Sequence, residues 1–116
     1  ISEIITKINH KNLLGLILAC VSPENFEENL NEIKGLGIPF GFKLNGFVTT
    51  KPPSGYTNNF NKSKTGNPNE FLGHREDLTP KKMTLIVKKF KSAGATILGG
   101  CCEIRPSHIR EMAKIK

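Results

Sequence analysis

The apolar positions along the chain fall into two kinds of pattern. Ile1, Ile4, Ile5 and Ile8 recur at helical spacing, which predicts a helix over residues 1–8. The continuous run Leu13–Val21 (LLGLILACV) reads instead as a strand buried on both faces, as parallel-sheet strands are. Ser22-Pro23 then supplies a helix N-cap and a proline at the first helical position, where the missing N–H costs nothing. Phe26, Leu30 and Ile33 make the apolar stripe of that helix, and Gly35 and Gly37 close it. The cycle repeats with Pro39–Leu44 as a strand ending at Asn45-Gly46, followed by a long polar loop from Val48 to Leu78. Thr79-Pro80 opens a helix carrying Met83, Ile86, Val87 and Phe90 and closed by Gly94. Ala95–Leu98 is a third strand, and Pro106 starts a last helix through Ile109, Met112 and Ala113.

The order helix-β-α-β-loop-α-β-α means parallel strands joined by helical crossovers, an α/β fold. A parallel sheet needs cover on both faces and protected edges, which three strands cannot provide by themselves. The length of the 48–78 loop is also unusual in a compact domain unless the loop is functional. Both features are accounted for if residues 1–116 are the C-terminal three βα units of a (β/α)8 TIM barrel, a fold of about 250 residues. The alternative is an independent small α/β domain. A first residue of Ile1 rather than Met fits a fragment or processed chain, and such a piece is expected to be poorly soluble or oligomeric in isolation.

Composition is that of a globular protein, with 37% hydrophobic and 23% charged residues, so disorder is not expected. No apolar run approaches a membrane span, and no secretory signal opens the chain. The formal net charge of +7 lies in the second half, since residues 1–60 balance five Lys against five Glu. A basic half suits phosphate or nucleic-acid contact. However, Lys81, Lys82, Lys88, Lys89 and Lys91 share one amphipathic helix, where a solvated face explains them, and no base-stacking aromatics are interleaved. Neither a membrane nor a nucleic-acid partner is expected.

Three cysteines, an odd number, argue against a disulfide framework and for a reducing, cytoplasmic compartment. Cys20 stands at the C-terminal end of the first strand, and Cys101-Cys102 follow the third directly after Gly99-Gly100. Alternate strands of a barrel send side chains into the same interior layer, so curvature would bring these thiols together where barrel chemistry lies. Three thiolates can hold zinc and leave a fourth position open, the pattern of a catalytic rather than a structural site. The other reading of Cys20 is a small buried hydrophobe. His74 in the loop and His108 in the first turn of the last helix are expected at the surface, and His10 is a weak candidate of the same kind.

Gly99-Gly100-Cys101-Cys102, followed by Arg105-Pro106-Ser107-His108-Ile109, resembles the C-terminal zinc signature of homocysteine S-methyltransferases. Ala19-Cys20-Val21-Ser22-Pro23-Glu24 is similar to the other zinc segment of that family, and Asn45-Gly46 to the segment after its seventh strand. The resemblance spans the whole chain but only the last third of the family's barrel. It implies a methyltransferase of methionine biosynthesis that moves a methyl group from a cationic or cobalamin donor to the thiol of homocysteine. It also implies Zn2+ on Cys20, Cys101 and Cys102, with Asn45 near the substrate. The donors it implies are S-methylmethionine, S-adenosylmethionine, betaine or methylcobalamin. Phe47, Tyr56, Phe60 and Phe71, in or beside the loop, read first as loop-packing aromatics and second as candidate aromatic faces for a cationic donor. Ala19 departs from the Asn that often precedes the first zinc cysteine. Other function classes are a non-catalytic thiol metal-binding module and a basic nucleic-acid-binding domain. With five barrel units absent, the 116-residue chain alone is expected to be inactive.

Overall fold

A computed structural model of the chain describes residues 1–8, 12–51 and 69–115. Tyr56, Phe60 and His10 lie outside the described residues. The order is α1 (Ser2–Ile8), β1 (Leu16–Val21), α2 (Pro23–Glu28), α3 (Leu30–Gly35), β2 (Phe40–Leu44), α4 (Pro80–Ser92), β3 (Ile97–Gly100) and α5 (Pro106–Met112). Between β2 and α4 the chain makes a short 3-10 turn at Glu70–Leu72.

The three strands form one parallel sheet in the order β1-β2-β3, which puts β2 in the centre. The architecture is α/β, compatible with part of a (β/α)8 barrel. Leu16 to Ala19 pair in step with Phe40 to Lys43, and Gly41 to Leu44 pair with Ile97 to Gly100. Since side chains alternate across a strand, Phe40, Phe42 and Leu44 turn to one face and Lys43 to the other, and only Lys43 of the five β2 residues is exposed. The first face meets the helices. There Phe26 and Ile33 from α2 and α3, Met83, Val87 and Phe90 from α4, and Met112 from α5 close over β2. Three rings form the centre of this core: Phe26 and Phe90 are 4.8 Å apart, Phe26 and Phe42 4.9 Å, and Phe42 and Phe90 5.6 Å, all at tilted or edge-on angles. These are the offset geometries aromatic quadrupoles prefer.

Helix starts follow the local chemistry. The Ser22 hydroxyl accepts the Asn25 amide at 3.2 Å, and the Thr79 hydroxyl the Lys82 amide at 3.3 Å, each just before a proline. The single helix expected across residues 23–33 is two, separated at Asn29. The Asn29 side-chain amide donates to the Asn25 carbonyl at 2.8 Å, the same acceptor its backbone N–H reaches at 3.3 Å. That competition is how asparagine loosens a helix interior. The third strand runs later than expected and takes in Gly99 and Gly100.

The lysines of α4 are exposed, as a solvated face requires. Lys82 pairs with Asp77 at 2.7 Å, and Lys89 pairs with Glu27. Among the described residues no helix is long and apolar enough to cross a membrane. His108, expected at the surface, is buried at 5% exposure. Its Nδ1 accepts the Arg105 amide at 3.1 Å, which leaves the ring proton on Nε2 to donate to the Leu78 carbonyl at 2.8 Å. The histidine thereby caps α5 and ties it to the end of the loop.

The core ring of the central strand sets the first test. Phe42 is fully buried between Phe26 and Phe90, so Phe42→Ala should cost about 3–5 kcal/mol of stability. Urea unfolding followed by circular dichroism measures this, and a loss under 1 kcal/mol would show that the three rings are not the core.

Candidate metal centre

All three cysteines gather at the C-terminal edge of the sheet. Their side chains lie within 4.8 Å of one another, with Cys20 Sγ 3.7 Å from Cys102 Sγ and Cys101 Sγ 3.9 Å from Cys102 Sγ. A tetrahedral centre with metal–sulfur bonds of about 2.3 Å has sulfur–sulfur edges of about 3.8 Å. Both short separations match that edge, so the donor set fits a thiolate-bound metal ion.

Cys20 reaches the site through an irregularity. Its register partner is skipped: Ala19 pairs with Lys43 and Val21 with Leu44, so Cys20 is an extra residue in a β-bulge. Its φ of 53° lies in the left-handed region, which is uncommon for a non-glycine residue and marks a locally strained backbone. Without the bulge, position 20 would oppose Leu44 and turn toward the helices. With it, Cys20 is exposed beside the other two thiols and Val21 packs against the core. The buried-hydrophobe reading of Cys20 is therefore corrected.

The other two thiols come from the turn after β3. Gly100 lies so close to that turn that a Cβ on it would sit 2.4 Å from the Ile104 side chain. Glu103 completes the turn with a φ of 61°.

The end of β2 connects the two cysteine segments. Cys101 N–H donates to the Leu44 carbonyl at 2.7 Å, and Gly46 N–H donates to the Cys102 carbonyl at 2.9 Å. On the other side Asn45 N–H donates to the Val21 carbonyl at 2.9 Å. The Asn45 side chain, fully buried, donates from Nδ2 to the Cys20 carbonyl at 2.6 Å and accepts the Phe47 amide on Oδ1 at 3.2 Å. The asparagine thus lies at the site, with its amide group bonded to the backbone of the bulge and of the loop start.

Both ends of the long loop are pinned beside the thiols. Phe47 bridges His74 in antiparallel fashion, and Arg75 N–H donates to the Gly46 carbonyl at 2.9 Å. A cavity of about 770 Å³ opens there, with Ser22, Glu24, Phe47, Thr49, His74 and Arg75 in its wall. Arg75 grips Glu24 through two contacts of 2.8 and 2.9 Å and Asp77 through two of 3.1 and 3.0 Å. His74 Nδ1 stands 3.1 Å from a Glu103 carboxylate oxygen, an ion-pair distance whose angle leaves that nitrogen without a hydrogen bond. Residue patterns alone do not single out Arg75, because only the folded loop brings it to Glu24 beside the first cysteine segment.

The thiols are electrostatically unequal. Desolvation, joined by hydrogen bonds and charge from Cys102 and Cys101, pushes the Cys20 thiol up to about 11. At Cys101 desolvation acts in the same sense but is outweighed. The Cys102 backbone amide, the neighbouring thiols and the positive charge of Lys43 together hold Cys101 below the ordinary thiol range. Cys101 is therefore readier than Cys20 to lose its proton, and a negative charge on one thiol opposes charge on its neighbours. A dication bound there would remove that opposition and favour the thiolate form of the cysteines that hold it.

A family model described as homocysteine S-methyltransferase matches residues 1–115. The chain belongs to the homocysteine S-methyltransferase family. Among curated relatives it is similar to Homocysteine S-methyltransferase 1 of Zea mays, 42% identical over 48 residues. That match covers 41% of this chain and 13% of the maize protein, so the chain corresponds to a small part of its relative's length. No solved structure matches the chain. Membership over nearly the whole chain agrees with the resemblance carried by the cysteine segments.

Asn45→Ala removes the side-chain partner of the Cys20 carbonyl and of the Phe47 amide, leaving the backbone bond from Asn45 to Val21 to tie the bulge to β2. We expect cobalt(II) affinity, measured by competition with a chelator, to fall 10–100-fold, as when a residue supporting a ligand is removed. Unchanged affinity would show that the bulge holds Cys20 without the asparagine.

Proposed function

We propose that the chain supplies the metal-binding end of a homocysteine S-methyltransferase, forming the last three βα units of its (β/α)8 barrel. The proposed reaction moves a methyl group from a cationic or cobalamin donor to the sulfur of homocysteine. The observation that carries this reading is the three-thiol cluster, with tetrahedral spacing, at the C-terminal strand ends of a chain belonging to that family. Barrel enzymes keep their chemistry at that end.

In this reading Cys20, Cys101 and Cys102 hold Zn2+ and leave a fourth position for the incoming thiol. A zinc ion there supplies the positive charge that lets a thiol lose its proton at neutral pH. The chain's own residues do the rest of the work. Asn45 and the β2 end keep the three sulfurs at bonding distance. Phe47 and the loop ends wall the neighbouring cavity, which none of the cysteines lines and which in this reading takes the donor. In the transfer the new sulfur–carbon bond forms as the donor–carbon bond breaks, and the thiol proton goes to solvent. Methionine is the product.

The test is methionine formation from homocysteine with S-methylmethionine, S-adenosylmethionine, betaine or methylcobalamin supplied one at a time to the protein containing this chain. Transfer from one donor, abolished by chelation and restored by zinc, is the expected outcome. Tight zinc binding with no thiol uptake would point to a non-catalytic metal-binding module instead. A second test concerns the ligands. Cys20→Ser and Cys20→Ala should both lose bound zinc, measured per chain after gel filtration, while unfolding in the presence of chelator stays within about 1 kcal/mol of the parent, because Cys20 is exposed and outside the core. Full zinc retention in Cys20→Ala would remove Cys20 from the site. Zinc affinity should also rise with pH, because the Cys20 thiol, held up at about 11, must give up its proton to bind.

A further inference from the structure

Lys43 stands in the middle of the central strand, on the face opposite the helical core. Its register partners are Ala19 on β1 and Gly99 on β3, both too small to shield it. Its stem lies over Gly99, with Cγ 3.5 Å from where a Cβ at that glycine would be. The same face carries Ile17 and Ile97, 45% and 37% exposed, so the lysine is a lone charge in apolar surroundings. Among the described residues it has no carboxylate partner within ion-pair distance. Its side chain is long enough to bring the ammonium group to the level of the thiol cluster.

The geometry explains that reach. Cys101 lies two residues beyond Gly99, about 6.6 Å further along the strand direction. Four methylenes span a comparable distance, so the ammonium group can stand at the level of the sulfurs while its stem covers the small residues below. An ammonium standing over small and apolar residues beside the thiols is placed to meet an anion that arrives there. The thiol acceptor proposed above carries such an anion. Homocysteine places a carboxylate three carbons from the one that bears its sulfur, within one lysine length of the cluster.

Resting on the reading of the cluster as a thiol-acceptor site, we infer that Lys43 is a specificity residue that binds the carboxylate of the amino-acid thiol. It selects a thiol with a carboxylate over the same thiol without one. It makes no bond to the reacting atoms.

Cobalt(II)-loaded protein tests this, because sulfur-to-cobalt charge-transfer absorbance reports each thiol that joins the metal. L-homocysteine and 3-aminopropane-1-thiol, which is homocysteine without its carboxylate, are titrated against the parent, Lys43→Met and Lys43→Arg. The parent should prefer homocysteine by about tenfold or more, the worth of one charge-assisted hydrogen bond. Lys43→Met should lose most of that preference while binding 3-aminopropane-1-thiol as the parent does, and Lys43→Arg should keep part of it. Lys43 is exposed and outside the core, so these variants keep the fold. A homocysteine preference that survives in Lys43→Met, a parent that binds both thiols equally, or an equal weakening of both thiols each overturns the assignment of Lys43 alone. If neither thiol changes the spectrum of the parent, the acceptor reading itself fails, and this assignment with it.

Discussion

Four hydrogen bonds at the end of the central strand hold the site together. Leu44, Asn45 and Gly46 bond on one side to Val21 and Cys20, and on the other to Cys101 and Cys102. The two cysteine segments are 82 residues apart along the chain and follow strands that do not pair with each other, so β2 between them sets their spacing. The strand in turn is fixed from below by Phe42, locked between Phe26 and Phe90. Force thus passes from the aromatic core up one strand to three sulfurs. Strand ends serve well for this purpose because their last amides and carbonyls are free to bond beyond the sheet.

The electrostatics follow from the same packing. Bringing three thiols within bonding distance of one ion makes the metal-free cluster reluctant to lose more than its first proton. Each protein device near the site works against that reluctance. The Cys102 amide and Lys43 favour charge at Cys101, while the bulge keeps Cys20 out of the apolar core, where a thiolate would be still harder to form. A cation held by the three thiols would relieve their mutual repulsion.

Much of this was legible along the chain because it is local. Serine, threonine and proline at helix starts act on the next three residues, and the apolar runs and the Gly-Gly-Cys-Cys segment need no tertiary partner to be noticed. What escaped depends on contacts distant in sequence. The Cys20 carbonyl at the bulge accepts from Asn45, 25 residues away. His108 looks like a surface residue until Leu78, 30 residues earlier, offers an acceptor. Asn29 divides a helix by a competition that periodicity does not register. Asparagine before glycine at a strand end reads as a turn. Only the folded chain shows that its amide is spent on a cysteine's backbone.

The antiparallel bridge between Phe47 and His74, backed by the Arg75-to-Gly46 hydrogen bond, closes the two ends of the long loop into a neck. A closed neck separates what hangs beyond it from what stands before it. Residues could be added or removed past Lys51 and before Asn69 without changing the spacing of the sulfurs, because the ends stay tied whatever length they enclose. Lengthening a loop between fixed ends costs only a slowly growing entropy, about 0.6 kcal/mol per doubling. The segment is therefore the natural place to splice in a reporter peptide without disturbing the metal centre.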